Sequence, residues 1–197
     1  MSDKETLEIY DGKAEEYAKL TENETKNTDL LAFIDMVKDG GRVLDLGCGP
    51  GHSAGRMAQS GLIVDASDAS AEMIKIASQQ AGVNARRETF DALNVLDHYD
   101  GIYANFSLLH AERAKVPDHI SSIAKALKTG GIFHIGMKTG TSEARDSLGR
   151  HYSYFTENEL EKMMNDNGLS VRRRNHGEDM GLNGELAEWV SLQSEKV

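Results

Sequence analysis

Apolar positions along this 197-residue chain fall into short compact runs that alternate with stretches of helical spacing. Val43-Leu-Asp-Leu46, Leu62-Ile-Val64 and Ile132-Phe-His-Ile135 are runs bounded by glycine or polar turns, the pattern of strands covered on both faces. Ala85 to Phe90 and Tyr99 to Ser107 read as two further strands. Helices are expected from His52 to about Ser60, from Ala69 with Ser70 as its cap, and after Pro117. In the last of these Ile120, Ile123, Ala124 and Leu127 recur at helical spacing, and Lys128-Thr-Gly-Gly131 is expected to stop it.

The flanks carry their own signals. From Ser2 to about Leu20 an amphipathic segment places Leu7, Ile9, Tyr10, Ala14, Tyr17 and Ala18 at helical intervals, and a second helix runs from about Thr28 to Lys38. Lys138 to Phe155 reads as a long connection, a kind of segment that is usually functional or disordered. Thr156 and Glu159 have the form of a capping box for a helix ending near Gly168, followed by strands at Val171 to His176 and about Glu185 to Leu192. Strands alternating with helices imply a doubly wound α/β fold with a mostly parallel sheet, and two final strands without a helix between them imply an antiparallel hairpin at one edge.

The chemistry concentrates in Val43 to Gly51, VLDLGCGPG, where an apolar strand runs into a glycine-rich turn. Glycines there let backbone approach a ligand closely, the mark of a nucleotide-type site where a parallel strand hands over to a helix. A dinucleotide fold requires G-x-G-x-x-G, but the third position after Gly47 and Gly49 is His52, too bulky for close packing of helix on strand. The remaining D-x-G-x-G-x-G, with Asp45 inside the strand, resembles the first motif of class I S-adenosylmethionine-dependent methyltransferases. Asp68 closes the second strand nineteen residues beyond Gly49, the spacing of a ribose-binding acid, with Asp65 as the alternative; the following D-x-S-x-E-M matches the family at Asp68. Tyr99 to His110 and the K-x-G-G-x-F block at Lys128 to Phe133 are similar to later segments of that family, so the resemblance spans roughly Val43 to Met137.

The resemblance implies a seven-stranded sheet with its last strand reversed, in one domain: an N-terminal helical arm (1–40), a cofactor core (41–138), then an acceptor loop and C-terminal hairpin (139–197). It implies S-adenosyl-L-methionine held by Asp45, Gly47, Cys48 and Gly49, by Asp68, Ala69 and Met73, by Phe90, Asp91 and Ala92 beside adenine, and by Asn105 and Phe106 near the methyl. Methyl transfer from a sulfonium is an in-line displacement that asks mainly for placement and exclusion of water. His110 is the first candidate base, and Tyr10 and Tyr17 belong to an arm that many small members fold over the cofactor. Tyr152 and Tyr154, with His151, are candidates to shape the acceptor pocket. Lys138, Arg145 and Arg150 cluster near them in an otherwise acidic chain and suggest an anionic acceptor, the alternative being surface pairing with Glu143 and Asp146.

Composition narrows the partners. A net charge of −10 disfavours nucleic acid, and Arg172 to Arg174 read better as charges blunting a sheet edge. No apolar run reaches the roughly 18 residues of a membrane span, and the first residues lack the apolar core of a secretory signal, which predicts the cytoplasm. The single cysteine, Cys48, excludes an internal disulfide and fits a small packing role beside the loop; no metal-ligand spacing is present. The expected partner is a small-molecule acceptor and the expected state a monomer or homodimer. A non-catalytic S-adenosylmethionine-binding or regulatory protein stays open as the alternative function.

Overall fold

A computed structural model describes residues 3–22 and 27–197; Ser2, the expected start of the arm, lies outside them. The arm is two helices, α1 (Lys4–Gly12), capped by the Asp3 carboxylate, and α2 (Ala14–Leu20). After α3 (Thr28–Met36) the chain alternates β1 (Arg42–Leu46), α4 (His52–Gln59), β2 (Ile63–Asp68), α5 (Ala71–Ala77), β3 (Val83–Arg87), β4 (Tyr99–Asn105), α6 (Val116–Ala126) and β5 (Leu127–Lys138). A two-stranded excursion, β6 (Glu143–Arg145) with β7 (His151–Ser153), precedes α7 (Glu157–Asp166), β8 (Leu169–Met180) and β9 (Leu186–Lys196).

The main sheet has seven strands in the order β3-β2-β1-β4-β5-β9-β8. The first five are parallel, and β9 runs antiparallel to both β5 and β8, so the reversed strand is the inner member of the edge hairpin. Pleat alternation splits the core: Leu44, Leu46, Ile102 and Phe133 face one layer, while Val43, Tyr103 and Ile132 face the other with Phe33 of α3 and Met57 of α4. Covering both faces leaves β4 buried along all but its last residue, Asn105. Among the described residues no helix is long and apolar enough to cross a membrane.

Several boundaries differ from expectation, each for a local reason. β3 stops at Arg87, and Phe90–Ala92, expected to close the strand, form a 3-10 turn. The helix before β5 ends at Ala126, and Lys128 to Gly131 form an irregularity inside β5, between the pairs Tyr99↔Leu127 and Gly101↔Ile132. β8 and β9 are longer than expected because they pair with each other beyond the sheet, to Met180↔Leu186. The connection after Lys138 holds a short hairpin rather than no structure of its own. Arg172, Arg173 and Arg174 all sit in ion pairs, with Glu195, with Asp29, and with Glu157 and Glu161 respectively. The capping box of Thr156 and Glu159 is present at α7.

Candidate active site

The carboxyl ends of β1, β2 and β4 and the inner face of the arm enclose a cavity of about 870 Å³ including its mouth, within the usual range for small-molecule sites. Its floor is the glycine loop. Gly47 and Cys48 donate their backbone N–H groups to Ser67 O at 2.7 and 2.9 Å, which holds the loop across the end of β2. Gly47 has φ +76°, and a Cβ there would stand 2.4 Å from the Ser107 Cβ, so only glycine fits. Gly49 has φ +52°; its hypothetical Cβ would meet only the Tyr17 ring, at 3.6 Å, so the loop backbone is open toward the cavity.

Asp68 joins the loop to the next helix. One carboxylate oxygen accepts from Gly49 N at 2.9 Å and the other from Ser70 N at 2.8 Å. Burial nevertheless raises its pKa, with the two backbone donors opposing the shift. Asp65, the alternative acid, points elsewhere: it takes Arg42 Nη1 and Asn84 Nδ2 at 2.8 and 2.7 Å and does not line the cavity. Ala69 and Met73 continue one wall, and Phe90 stands in another with Glu88 and Thr89. Asp91 and Ala92 of the same turn do not line it. Asp45, Cys48, Asn105 and Phe106 do, and burial pushes the Cys48 thiol well up, which makes it a packing group.

Tyr10 and Tyr17 reach in from the arm, their rings in edge contact at 5.3 Å. The Tyr10 hydroxyl lies 2.9 Å from His110 Nε2, and His110 Nδ1 lies 2.7 Å from His151 O. A carbonyl only accepts, so Nδ1 carries the proton and, in the neutral ring, Nε2 accepts from Tyr10. Burial keeps that ring neutral, pushing its pKa down to about 3. Arg150 Nη1 donates to the same phenol oxygen at 3.0 Å. Arg150 is itself buried and held by Asp146 Oδ2 at 2.7 and 3.0 Å.

The five residues expected on the acceptor side do not line the cavity; most stand one layer behind it. Tyr152 packs its ring 4.7 Å from His110 and carries Lys138 Nζ 4.2 Å above its centroid. Tyr154 stacks beyond Tyr152 at 6.2 Å. Arg145 is on the surface, bonded to Asp3 at 2.8 and 3.0 Å and paired with Glu5. Of the surface pairings expected as the alternative, Arg150 does pair with Asp146, but in the interior rather than on the surface, while Glu143 takes the Arg113 backbone N–H and His151. Further residues join the cavity: Thr6 and Leu7 share with Tyr10 one face of α1, a spacing already visible in the sequence, and the cap Asp3 stands beside them. Pro50 and Ser53 follow the loop, and Tyr103 and Ser107 flank the end of β4.

The model of a methyltransferase domain matches residues 17–173. The chain belongs to this family. It is 30% identical to trans-aconitate 2-methyltransferase of Afipia carboxidovorans over 148 residues, which are 71% of this chain and 55% of the relative. It is 29% identical over 152 residues to the enzyme of that name from Rhodopseudomonas palustris, covering 73% of this chain and 57% of the relative. The chain thus spans about half the length of the curated relatives it matches. Among solved structures, a SAM-dependent methyltransferase from Methanosarcina mazei aligns with TM-score 0.72 at 19% identity, covering 83% of this chain and 95% of that one. The 1,6-didemethyltoxoflavin-N1-methyltransferase of Burkholderia thailandensis, solved with its substrate and S-adenosylhomocysteine, aligns with TM-score 0.70 at 16% identity, covering 93% and 87%. Both likenesses support this methyltransferase-domain protein's fold.

Proposed function

We propose that this chain transfers a methyl group from S-adenosylmethionine to a small-molecule acceptor carrying a carboxylate. The observation that carries the reading is the pairing of an open glycine loop with the half-buried Asp68 carboxylate under a docked arm. Loop backbone at Gly47 to Gly49 and the free lone pairs of Asp68 suit the nucleoside's ribose, and Ala69, Met73 and Phe90 supply apolar walls for its base. When bound, S-adenosylmethionine supplies a methyl already activated on a sulfonium. The chain's own residues place the acceptor in line and exclude water, the task of the arm that Tyr10 pins to His110.

A carboxylate acceptor favours this arrangement. Its oxygen is already anionic, so the His110 lone pair can remain engaged by Tyr10, with His110 and Arg150 fixing the phenol rather than removing a proton. Lys138 and Arg150 stand behind that corner, and the relatives named for trans-aconitate act on a carboxylate-rich molecule. Calorimetric titration with S-adenosylhomocysteine tests the cofactor: binding is expected, and Asp68→Ala should weaken it by about 1–3 kcal/mol. Absence of binding to the wild type refutes the reading. Production of S-adenosylhomocysteine from trans-aconitate and other small carboxylates tests the activity, and cofactor binding with no turnover on any of them favours the non-catalytic alternative.

A further inference from the structure

A row of polar side chains crosses the sheet behind the cavity. Tyr103 of β4, His134 of β5 and Gln193 of β9 are direct partners in register, and the rings of Tyr103 and His134 stack at 4.3 Å. His134 is fully buried and lies between two amides: its Nε2 is 3.0 Å from Asn105 Oδ1 and its Nδ1 is 3.3 Å from Gln193 Nε2. Gln193 Nε2 also donates to the backbone carbonyl of Asp29 at 2.6 Å. Asp29 is fixed in turn by Ser191, Asn175 and Arg173.

Donor logic gives this chain one direction. A carbonyl oxygen only accepts, so the Asp29 carbonyl requires the nitrogen of Gln193 to face it, and the same nitrogen then presents its second hydrogen to His134 Nδ1. The imidazole must therefore carry its proton on Nε2 and donate it to Asn105 Oδ1. That spends the Asn105 oxygen on the protein; no described group accepts from Asn105 Nδ2, and Asn105 lines the cavity. Gly136, the register partner of Asn105, leaves the space in which the amide turns toward His134: a Cβ there would stand 2.6 Å from Asn105 Oδ1. Burial holds His134 neutral, as the relay requires.

We propose that Asn105 is a carboxylate-binding donor of this site and that His134, through Gln193 and Asp29, is the positioning residue that turns its amide nitrogen to the ligand. This rests on the methyltransferase reading, in which both ligands bring a carboxylate: the amino-acid tail of the cofactor and the acceptor. A ligand atom facing Nδ2 has to be an acceptor, and the carboxylate oxygen is the strong acceptor the two share.

Asn105→Asp is the deciding variant, because it keeps an oxygen for His134 and nearly the same volume but replaces the donor with a second acceptor. Affinities for S-adenosylhomocysteine, adenosine and trans-aconitate, the last with S-adenosylhomocysteine present, are measured by calorimetry. A loss of about tenfold or more for S-adenosylhomocysteine with adenosine unchanged assigns the cofactor's tail, and the same loss for trans-aconitate alone assigns the acceptor. If neither weakens, the proposal falls. His134→Leu should weaken the same ligand and spare adenosine; equal weakening of adenosine would mean a merely structural role and overturn the positioning claim. Nitrogen-15 NMR of the His134 ring in the wild type is independent of any ligand: an Nε2–H tautomer supports the orientation and an Nδ1–H tautomer overturns it. Failure of the wild type to bind S-adenosylhomocysteine would instead strike the proposed function, and the tautomer would still decide the orientation of the amide.

Discussion

Two neutral histidines, His134 fully buried and His110 half-buried at the cavity wall, should make this fold acid-sensitive well above the range in which carboxylates titrate. Burial pushes the pKa of both His110 and His134 from 6.5 to about 3. In the unfolded chain each ring binds a proton as pH falls through 6.5, whereas in the folded protein it resists until about 3. The unfolded state therefore holds more protons across that window, and stability falls with pH within it. Above 6.5 both states are neutral at these positions and the effect vanishes. At pH 5 the unfolded ring is 1.5 pH units below its pKa, so each histidine is expected to remove about 2 kcal/mol, or about 4 kcal/mol together relative to pH 7, as an order of magnitude. Asp68 acts in the opposite sense: its raised pKa contributes stability below the unfolded carboxylate value that is lost as pH rises through the folded one. Urea denaturation at pH 7, 6 and 5 measures the slope, and His110→Gln and His134→Gln should each remove about half of it. A midpoint that does not move between pH 7 and 5 would show that these rings protonate in the folded state and refute the reasoning.

Five substitutions probe the site in other ways. Tyr10→Phe leaves Arg150 Nη1 and His110 Nε2 without the phenol and should destabilise by about 1–3 kcal/mol; an unchanged melting temperature would count against the buried bonds. Arg150→Met leaves the Asp146 carboxylate unpaired in the interior and should cost about 3–5 kcal/mol in a denaturation experiment. Arg145→Lys should leave acceptor kinetics unchanged, since the guanidinium is exposed, does not line the cavity and keeps a cation beside Asp3 and Glu5 when replaced by lysine; a raised Michaelis constant would return it to the acceptor side. Gly49→Ala should cost only about 1–2 kcal/mol of backbone strain yet weaken S-adenosylhomocysteine binding, whereas Gly47→Ala should damage folding itself because its Cβ would strike Ser107.

What was legible in the sequence is what the backbone alone demands. Gly47 and Gly49 take positive φ whatever surrounds them, and Asp68 closes a strand whose partners sit in parallel register, so both could be placed from spacing. β3 was misplaced because it is an edge strand, partly exposed along its length, and carries no clean alternation; the apolar Phe90 resembled strand but is a wall of the cavity. Arg145 and Arg150 were alike as residues in a loop. The β6–β7 hairpin separates them, turning one outward to Asp3 and the other inward, where Asp146 and Tyr10 receive it. The Tyr103–His134–Gln193 row could not be read at all, since its three residues lie far apart along the chain: β4–β5 pairing joins the first two, and Gln193 joins them only when β9 inserts next to β5. Reversal of β9 thus does more than close the sheet: it brings Gln193, and with it the carbonyl of Asp29, against a histidine whose other nitrogen fixes a side chain of the cavity.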